Sequence, residues 1–248
     1  MTDTLLNRLQ LYDNSGKVIA TMGQTKLTKL LGDWHFRPQC LATTAGGQVY
    51  VTDLQDKCIK QFDSLTRRCV ATIPLENYSR PYSVGVLPNG QFVVTHCDDF
   101  MTLHDVTGST LRTIHSDGNL CCVTCDKNGR IIATDTSNHC VKVFDAHGNN
   151  IDSFGQTQMN GQALSSPHGV CTDDDGHVYV ADTLNHRVCK FDSNGVFIDA
   201  VLTEQDGILW PRSVACDGHN IAVTWQQGVS VFAANTNSST HRLLTTRL

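Results

Sequence analysis

The stretch SPHGVCTDDDGHVYVADTLNHRVCKFDSNG, Ser166–Gly195, holds three histidines, two cysteines and three consecutive aspartates. Alone it could be a metal centre, a calcium loop or part of a hydrolase. The same order of residues recurs along the chain, and that decides how it is read. RPQCLATTAGGQVYVTD begins at Arg37, RPYSVGVLPNGQFVVTH at Arg80, NLCCVTCDKNGRIIATD at Asn119 and WPRSVACDGHNIAVTW at Trp210. In four copies a glycine stands nine residues after the proline position: Gly47, Gly90, Gly129 and Gly176. The copy with Pro211 and Gly218 has a shorter turn. The four glycines lie 43, 39 and 47 residues apart, a period that suits a four-stranded propeller blade.

Each unit reads as four strands. A short apolar strand follows the proline, then a glycine turn such as DDDG, DKNG or LPNG. An alternating strand such as HVYVAD comes next, then RVCKFD, CVKVFD or CIKQFD, and a last strand such as VFIDAVL. No helical period of useful length appears. The first strand alternates small with aliphatic residues: Cys40, Ser83, Cys122, Gly169 and Ser213 lie two after the proline position, and Leu41, Val84, Val123, Val170 and Val214 follow them. Innermost strands crowd the axis, where only small side chains fit, so Cys40, Cys122 and Cys171 read as small apolar fillers.

RLQLYDNSGKVIATMG matches only the second half of a unit, and so predicts two outer strands without their inner pair. Either one blade is short, or the C-terminal HRLLTTRL pairs with the N-terminal strands and closes the ring. The expected architecture is an all-β, six-bladed propeller with one blade incomplete or shared, a single domain over 1–248.

A chain of 248 residues that is 40% hydrophobic and 17% charged is globular and too apolar for disorder. Its net charge of −5 argues against wholesale polyanion binding while leaving room for a local basic patch. Eleven cysteines without a secretory leader or a membrane-spanning apolar run predict reduced thiols in a cytoplasmic protein. CCVTC, Cys121–Cys125, has one CxxC without a partner CxxC, so a zinc ribbon is not expected. The sequons at Asn77 and Asn237 matter only in a secreted protein.

Over nearly its whole length the chain resembles the NHL repeat family. The naming triplet stands as Asn185-His186-Arg187 and Asn138-His139-Cys140. Other copies depart: Asp56-Lys57 replaces Asn-His in one, HCDDF stands in a second and TWQQG in a third. The resemblance implies a six-bladed propeller like the C-terminal domain of tripartite-motif ubiquitin ligases, which recruits a protein substrate or single-stranded RNA and does no chemistry. No RING, B-box or coiled coil is present in the sequence. The same resemblance reaches the amidating lyase of peptide-hormone processing, whose propeller holds zinc through axial histidines placed just after the repeat's proline. Here that ring position holds Gln39, Tyr82, Cys121, His168 and Arg212. One histidine falls short of the three ligands a catalytic zinc needs, so neither metal nor other cofactor is expected.

Calcium fares no better. DDDG lacks the ligand spacing of an EF-hand and aligns with plain turns. Asp53, Asp135 and Asp182, which end the second strands, read as caps of the following loop rather than as axial ligands of a lactonase-type propeller. No GxSxG elbow accompanies Ser83 or Ser213, so nucleophilic catalysis is set aside. What remains is recognition without catalysis on one propeller face. The candidate contact residues are Arg37, Arg80, Tyr82, His168, Trp210 and Arg212 near the axis, with Lys57 and Arg187 farther out. A protein partner is the first expectation and single-stranded RNA the second, Tyr82 and Trp210 being able to stack bases. Asp98 and Asp99, placed in a loop on the same side, oppose RNA.

Overall fold

The computed structural model describes residues 1–3, 8–12, 17–22, 36–75, 80–156, 163–226, 228–233 and 243–245. Asn77 and Asn237 lie outside them. Three strands form the first sheet: β1 Thr2–Asp3, β2 Arg8–Tyr12 and β3 Val18–Met22. The next unit is β4 Pro38–Thr43, β5 Gln48–Asp53, β6 Cys58–Asp63 and β7 Cys69–Pro74. A seven-stranded sheet follows, with β8 Ser83–Val86, β9 Phe92–Thr95, β10 Asp98–His104, β11 Thr110–Cys125, β12 Ile131–Asp135, β13 Cys140–Phe144 and β14 Asn150–Phe154. Then come β15 Pro167–Thr172, β16 Val178–Asp182, β17 Arg187–Phe191 and β18 Phe197–Leu202. The last sheet is β19 Ser213–Cys216, β20 Asn220–Trp225, β21 Gly228–Ala233 and β22 Leu243–Thr245. Neighbouring strands pair antiparallel in sequence order, and the sheets together make a β-propeller. No helix among the described residues is long and apolar enough to cross a membrane.

The repeat glycines take the conformation their turns require. Gly47, Gly90, Gly129 and Gly176 have φ between 77° and 86°, a region that carries a steric penalty for residues with a Cβ. The second strands β9, β12 and β16 are buried at every residue. Their near-continuous apolar runs are clamped between neighbouring sheets. One core cluster joins Tyr179, Ala181 and Val188 to Val214, Ile221, Val223 and Phe232 of the next sheet, so apolar burial glues sheet to sheet. On the inner strands Val84, Val123, Val170 and Val214 face these cores. The opposite edges line an axial channel of about 270 Å³, bounded by β4, β8, β11, β15 and β19.

Three details differ from or complete the sequence reading. The sequence reads the last strand of the Arg80 unit and the first strand of the Asn119 unit as two separate strands. Both instead belong to one 16-residue strand, β11, which fuses two repeats into the seven-stranded sheet. Gly118 lets it pass, because a Cβ there would collide with the Asp135 carboxylate. HCDDF is not a loop either, since β10 already begins at Asp98. Of the two closures, β22 pairs with β21 in the register Val231↔Thr245, and among the described residues the N-terminal sheet is the short one. That sheet gains a third strand, β1, beside the two outer ones.

Candidate functional site

Two concentric rings of residues frame one mouth of the channel. The inner ring follows the proline position: Gln39, Tyr82, Cys121, His168 and Arg212. Threonines of the second strands tie its backbone down. Thr2 donates to the Gln39 carbonyl at 3.0 Å, Thr52 to that of Tyr82 at 3.0 Å and Thr134 to that of His168 at 2.6 Å. Thr95 does the same for Cys121. The sheet of β16 has Ala181 at this place, and there the Arg212 carbonyl accepts from Gly169 N at 3.0 Å. Thr52 also accepts from Cys40 N in its own sheet at 2.9 Å. Each threonine therefore staples one repeat to the next, one residue before the capping aspartate or its substitute. The sequence showed this signal as Thr52-Asp53, Thr134-Asp135, Thr2-Asp3 and Thr95-His96, and the reading of spacing alone passed over it. Thr52→Val keeps the shape and leaves two buried backbone groups without that hydroxyl. A loss of about 2 kcal/mol is expected in urea denaturation.

The outer ring stands before the proline position: Arg37, Arg80, Asn119, Ser166 and Trp210. Here the NHL-like histidines act. His139 Nδ1 accepts from Ser166 N at 3.0 Å, and His186 Nδ1 accepts from Trp210 N at 3.2 Å. Both donors sit at φ near 50°. The Trp210 ring meets His186 edge-on, 4.7 Å between centroids, and remains 41% exposed. The asparagines of the same motif bond the capping aspartates, Asn138 Nδ2 to Asp135 at 3.0 Å and Asn185 Nδ2 to Asp182 at 2.9 Å.

Those aspartates cap loops, and each also faces a cation. Asp53 Oδ1 accepts from Arg37 N and Gln55 N at 2.9 and 3.0 Å. Asp135 accepts from Ser137 N and Asn138 N. Lys60 lies 2.5 Å from Asp53, Lys142 3.0 Å from Asp135 and Arg187 2.7 Å from Asp182. DDDG is a turn in which Asp173 accepts from Asp175 N, His177 N and His177 Nδ1.

At the inner ring four side chains meet. Arg212 donates through a guanidinium nitrogen to His168 Nε2 at 3.0 Å, while His168 Nδ1 faces the Ser166 carbonyl at 3.0 Å and the Thr183 hydroxyl at 3.1 Å. An arginine cannot accept, so His168 Nε2 is the acceptor of this pair and Nδ1 is left to donate to the Ser166 carbonyl. Hydrogen bonds from Cys122, Cys97 and Tyr82 hold the Cys121 thiol well below its ordinary range. Burial, with the neighbouring thiols, pushes Tyr82 up. Cys97 and Thr183 were not expected here. Cys97 enters because Asp98 pairs with Leu120, which sets the preceding residue beside Cys121.

Of the eight candidate contact residues, Tyr82, His168 and Arg212 come together. Arg37, Arg80, Lys57 and Trp210 are exposed. Arg187 is half-buried against Asp182 and the Ala163 carbonyl, so its charge serves the loop. Asp98 and Asp99 are exposed at the start of β10.

The NHL repeat family profile matches residues 122–144 and 164–191. The chain carries NHL repeats. The two matched stretches contain both Asn-His pairs whose bonds are described above. No curated protein sequence matches the chain. Among solved structures, virginiamycin B lyase from Staphylococcus aureus is 15% identical with a TM-score of 0.69, over 98% of this chain and 78% of that one. A streptogramin B lyase is 14% identical with a TM-score of 0.71, over 100% and 78%. A nidogen/laminin complex is 19% identical with a TM-score of 0.67, over 83% and 78%. At these identities the likeness shows the fold. The same fold occurs in lyases and in a protein complex.

Proposed function

We propose that this NHL propeller is a non-enzymatic recognition module that docks a protein partner on the face carrying Arg37, Arg80, Tyr82, His168, Trp210 and Arg212. The observation that carries the reading is the inner ring itself. Four of its carbonyls are tied by threonine hydroxyls and the fifth by the Gly169 N–H, while its side chains differ at every position. A rigid frame with unlike side chains suits an asymmetric macromolecular surface. The Arg212 guanidinium occupies the His168 nitrogen that a zinc ion would need, which weighs against axial-zinc lyase chemistry. The nidogen/laminin neighbour is a protein complex. Recruitment of a substrate for a ubiquitin ligase of the tripartite-motif type is the specific form of recognition we favour, in a cytoplasmic setting.

Exposed Trp210, with Arg37, Arg80 and Arg212, favours single-stranded RNA as the second reading. Quantitative affinity capture with wild type, the triple variant Tyr82→Ala/Trp210→Ala/Arg212→Glu and the control Leu65→Ala separates the two. Leu65 is 88% exposed in the turn after β6. Protein partners retained by the control and reduced at least about tenfold by the triple variant are expected, since central aromatic and arginine anchors dominate interfaces. Equal capture by all three would overturn the reading. Tight, salt-sensitive RNA shifts lost on Arg80→Glu plus Arg212→Glu would replace it with RNA binding.

A further inference from the structure

Cys171 on β15 and Cys216 on β19 belong to neighbouring inner strands, and both line the axial channel. Their sulfurs are 3.3 Å apart, with the Cys171 thiol donating to Cys216. The two strands are drawn together just above them. Gly169 N bonds the Arg212 carbonyl at 3.0 Å, and a Cβ on Gly169 would lie 2.5 Å from Ser213 Cα. Both cysteines are partly exposed. A channel of about 270 Å³ has room for several molecules the size of water or peroxide. Filling space beside the axis accounts for either cysteine alone, but not for two thiols in contact on a solvent-accessible wall.

We propose that Cys171 and Cys216 are a peroxide-reactive dithiol that closes a disulfide between two neighbouring sheets of the propeller. The Cys171 S–H points at the Cys216 sulfur. Enclosure raises the Cys171 thiol, which keeps its proton. Cys216 is therefore the attacking sulfur. It displaces hydroxide from hydrogen peroxide as the S–O bond forms and the O–O bond breaks, and the Cys216 proton leaves with that hydroxide as water. The product is a sulfenic acid on Cys216. The Cys171 sulfur then attacks the Cys216 sulfur, the S–S bond forms, and the S–O bond breaks. The departing hydroxide takes the Cys171 proton. Two thiols and one peroxide give one disulfide and two waters. The bridge joins residues 45 apart, a closure that restricts the unfolded chain and so raises stability.

The test treats the full chain with hydrogen peroxide and maps its cysteines by mass spectrometry. The expected result is a loss of about 2 Da, reversed by dithiothreitol, with Cys171 and Cys216 in one linked peptide pair. A rise of several degrees in Tm should accompany it. Cys171→Ser should accumulate a sulfenic acid on Cys216 that dimedone traps, and Cys216→Ser should leave Cys171 unmodified. A hydroxyl already stands at the Cys171 position of a sister strand as Thr124, and at the Cys216 position as Thr43 and Thr172, so both variants are expected to fold, and far-ultraviolet circular dichroism checks it. Oxidation confined to other cysteines, such as Cys97 with Cys121, would overturn the proposal. So would a folded Cys171→Ser variant whose Cys216 fails to react with dimedone.

Discussion

Lys142→Met is expected to destabilise the propeller by about 3–5 kcal/mol, because it leaves a buried carboxylate without its cation. The Lys142 side chain is 7% exposed and that of Asp135 fully buried, with nitrogen and oxygen 3.0 Å apart. The ammonium also bonds Ser116 Oγ at 2.7 Å and the Asp117 carboxylate, both on β11. It thereby fastens the shared strand to the third strand of the following repeat. Burial alone would raise the Asp135 pKa. The Asn138 N–H groups and Lys142 outweigh it and hold the group below the carboxylate range. Removing the lysine reverses that balance. Equilibrium urea denaturation gives the number. Lys142→Arg should cost far less, since Arg187 fills the corresponding role beside Asp182. Asp135→Asn combined with Lys142→Met should recover much of the loss, because the neutral amide no longer needs a counter-charge. A single-variant loss below about 1 kcal/mol would show that the pair is worth no more than an exposed one.

Acidification should destabilise the protein before its carboxylates titrate, by on the order of 3 kcal/mol between pH 6.5 and 4. His96 replaces the capping aspartate in its repeat and is buried, with Nε2 2.9 Å from Thr102 Oγ1 and its ring stacked on Phe100 at 4.9 Å. Burial, helped by His104, lowers its pKa to about 4. His104 shifts the same way through burial. Protons therefore bind the unfolded chain more tightly. The stability contributed by neutral His96 is complete above the unfolded pKa near 6.5. It is lost as pH falls through that value and levels off near 4. The lowered carboxylates, Asp135 and Asp173 among them, act only below their ordinary value of 3.8, so the windows separate. Denaturation midpoints measured from pH 7.5 to 4 check this. His96→Phe keeps a stacking ring and should flatten much of the slope. An unchanged slope would place the titration elsewhere.

Most of the fold was legible because a repeat states its own period. Gly47, Gly90, Gly129 and Gly176 marked the turns, and the small–aliphatic alternation marked the channel wall. The readings that differed fell where a repeat lost its punctuation. Between Thr110 and Cys125 no proline breaks the chain, so two strands became one. In HCDDF the Asp-to-Asn-His spacing is lost, and β10 starts at once. The site was legible as a ring of positions but not as a set of contacts. Arg187, expected on the contact face, is paired with Asp182, and Trp210, expected to stack a partner's base, has its backbone held by His186.

The sequence by itself determined the strand order, the inward-facing small residues, the loop-capping aspartates and the five unlike residues around the axis. All of these depend on local geometry or on a period, and both are written along the chain. Only the tertiary structure decided that Arg212 reaches His168 across 44 residues and that Cys171 touches Cys216 across 45. Such meetings depend on how closely neighbouring sheets pack. That closeness is set by cores between the sheets, by threonine staples and by the missing Cβ of Gly169, and no spacing in one chain encodes it.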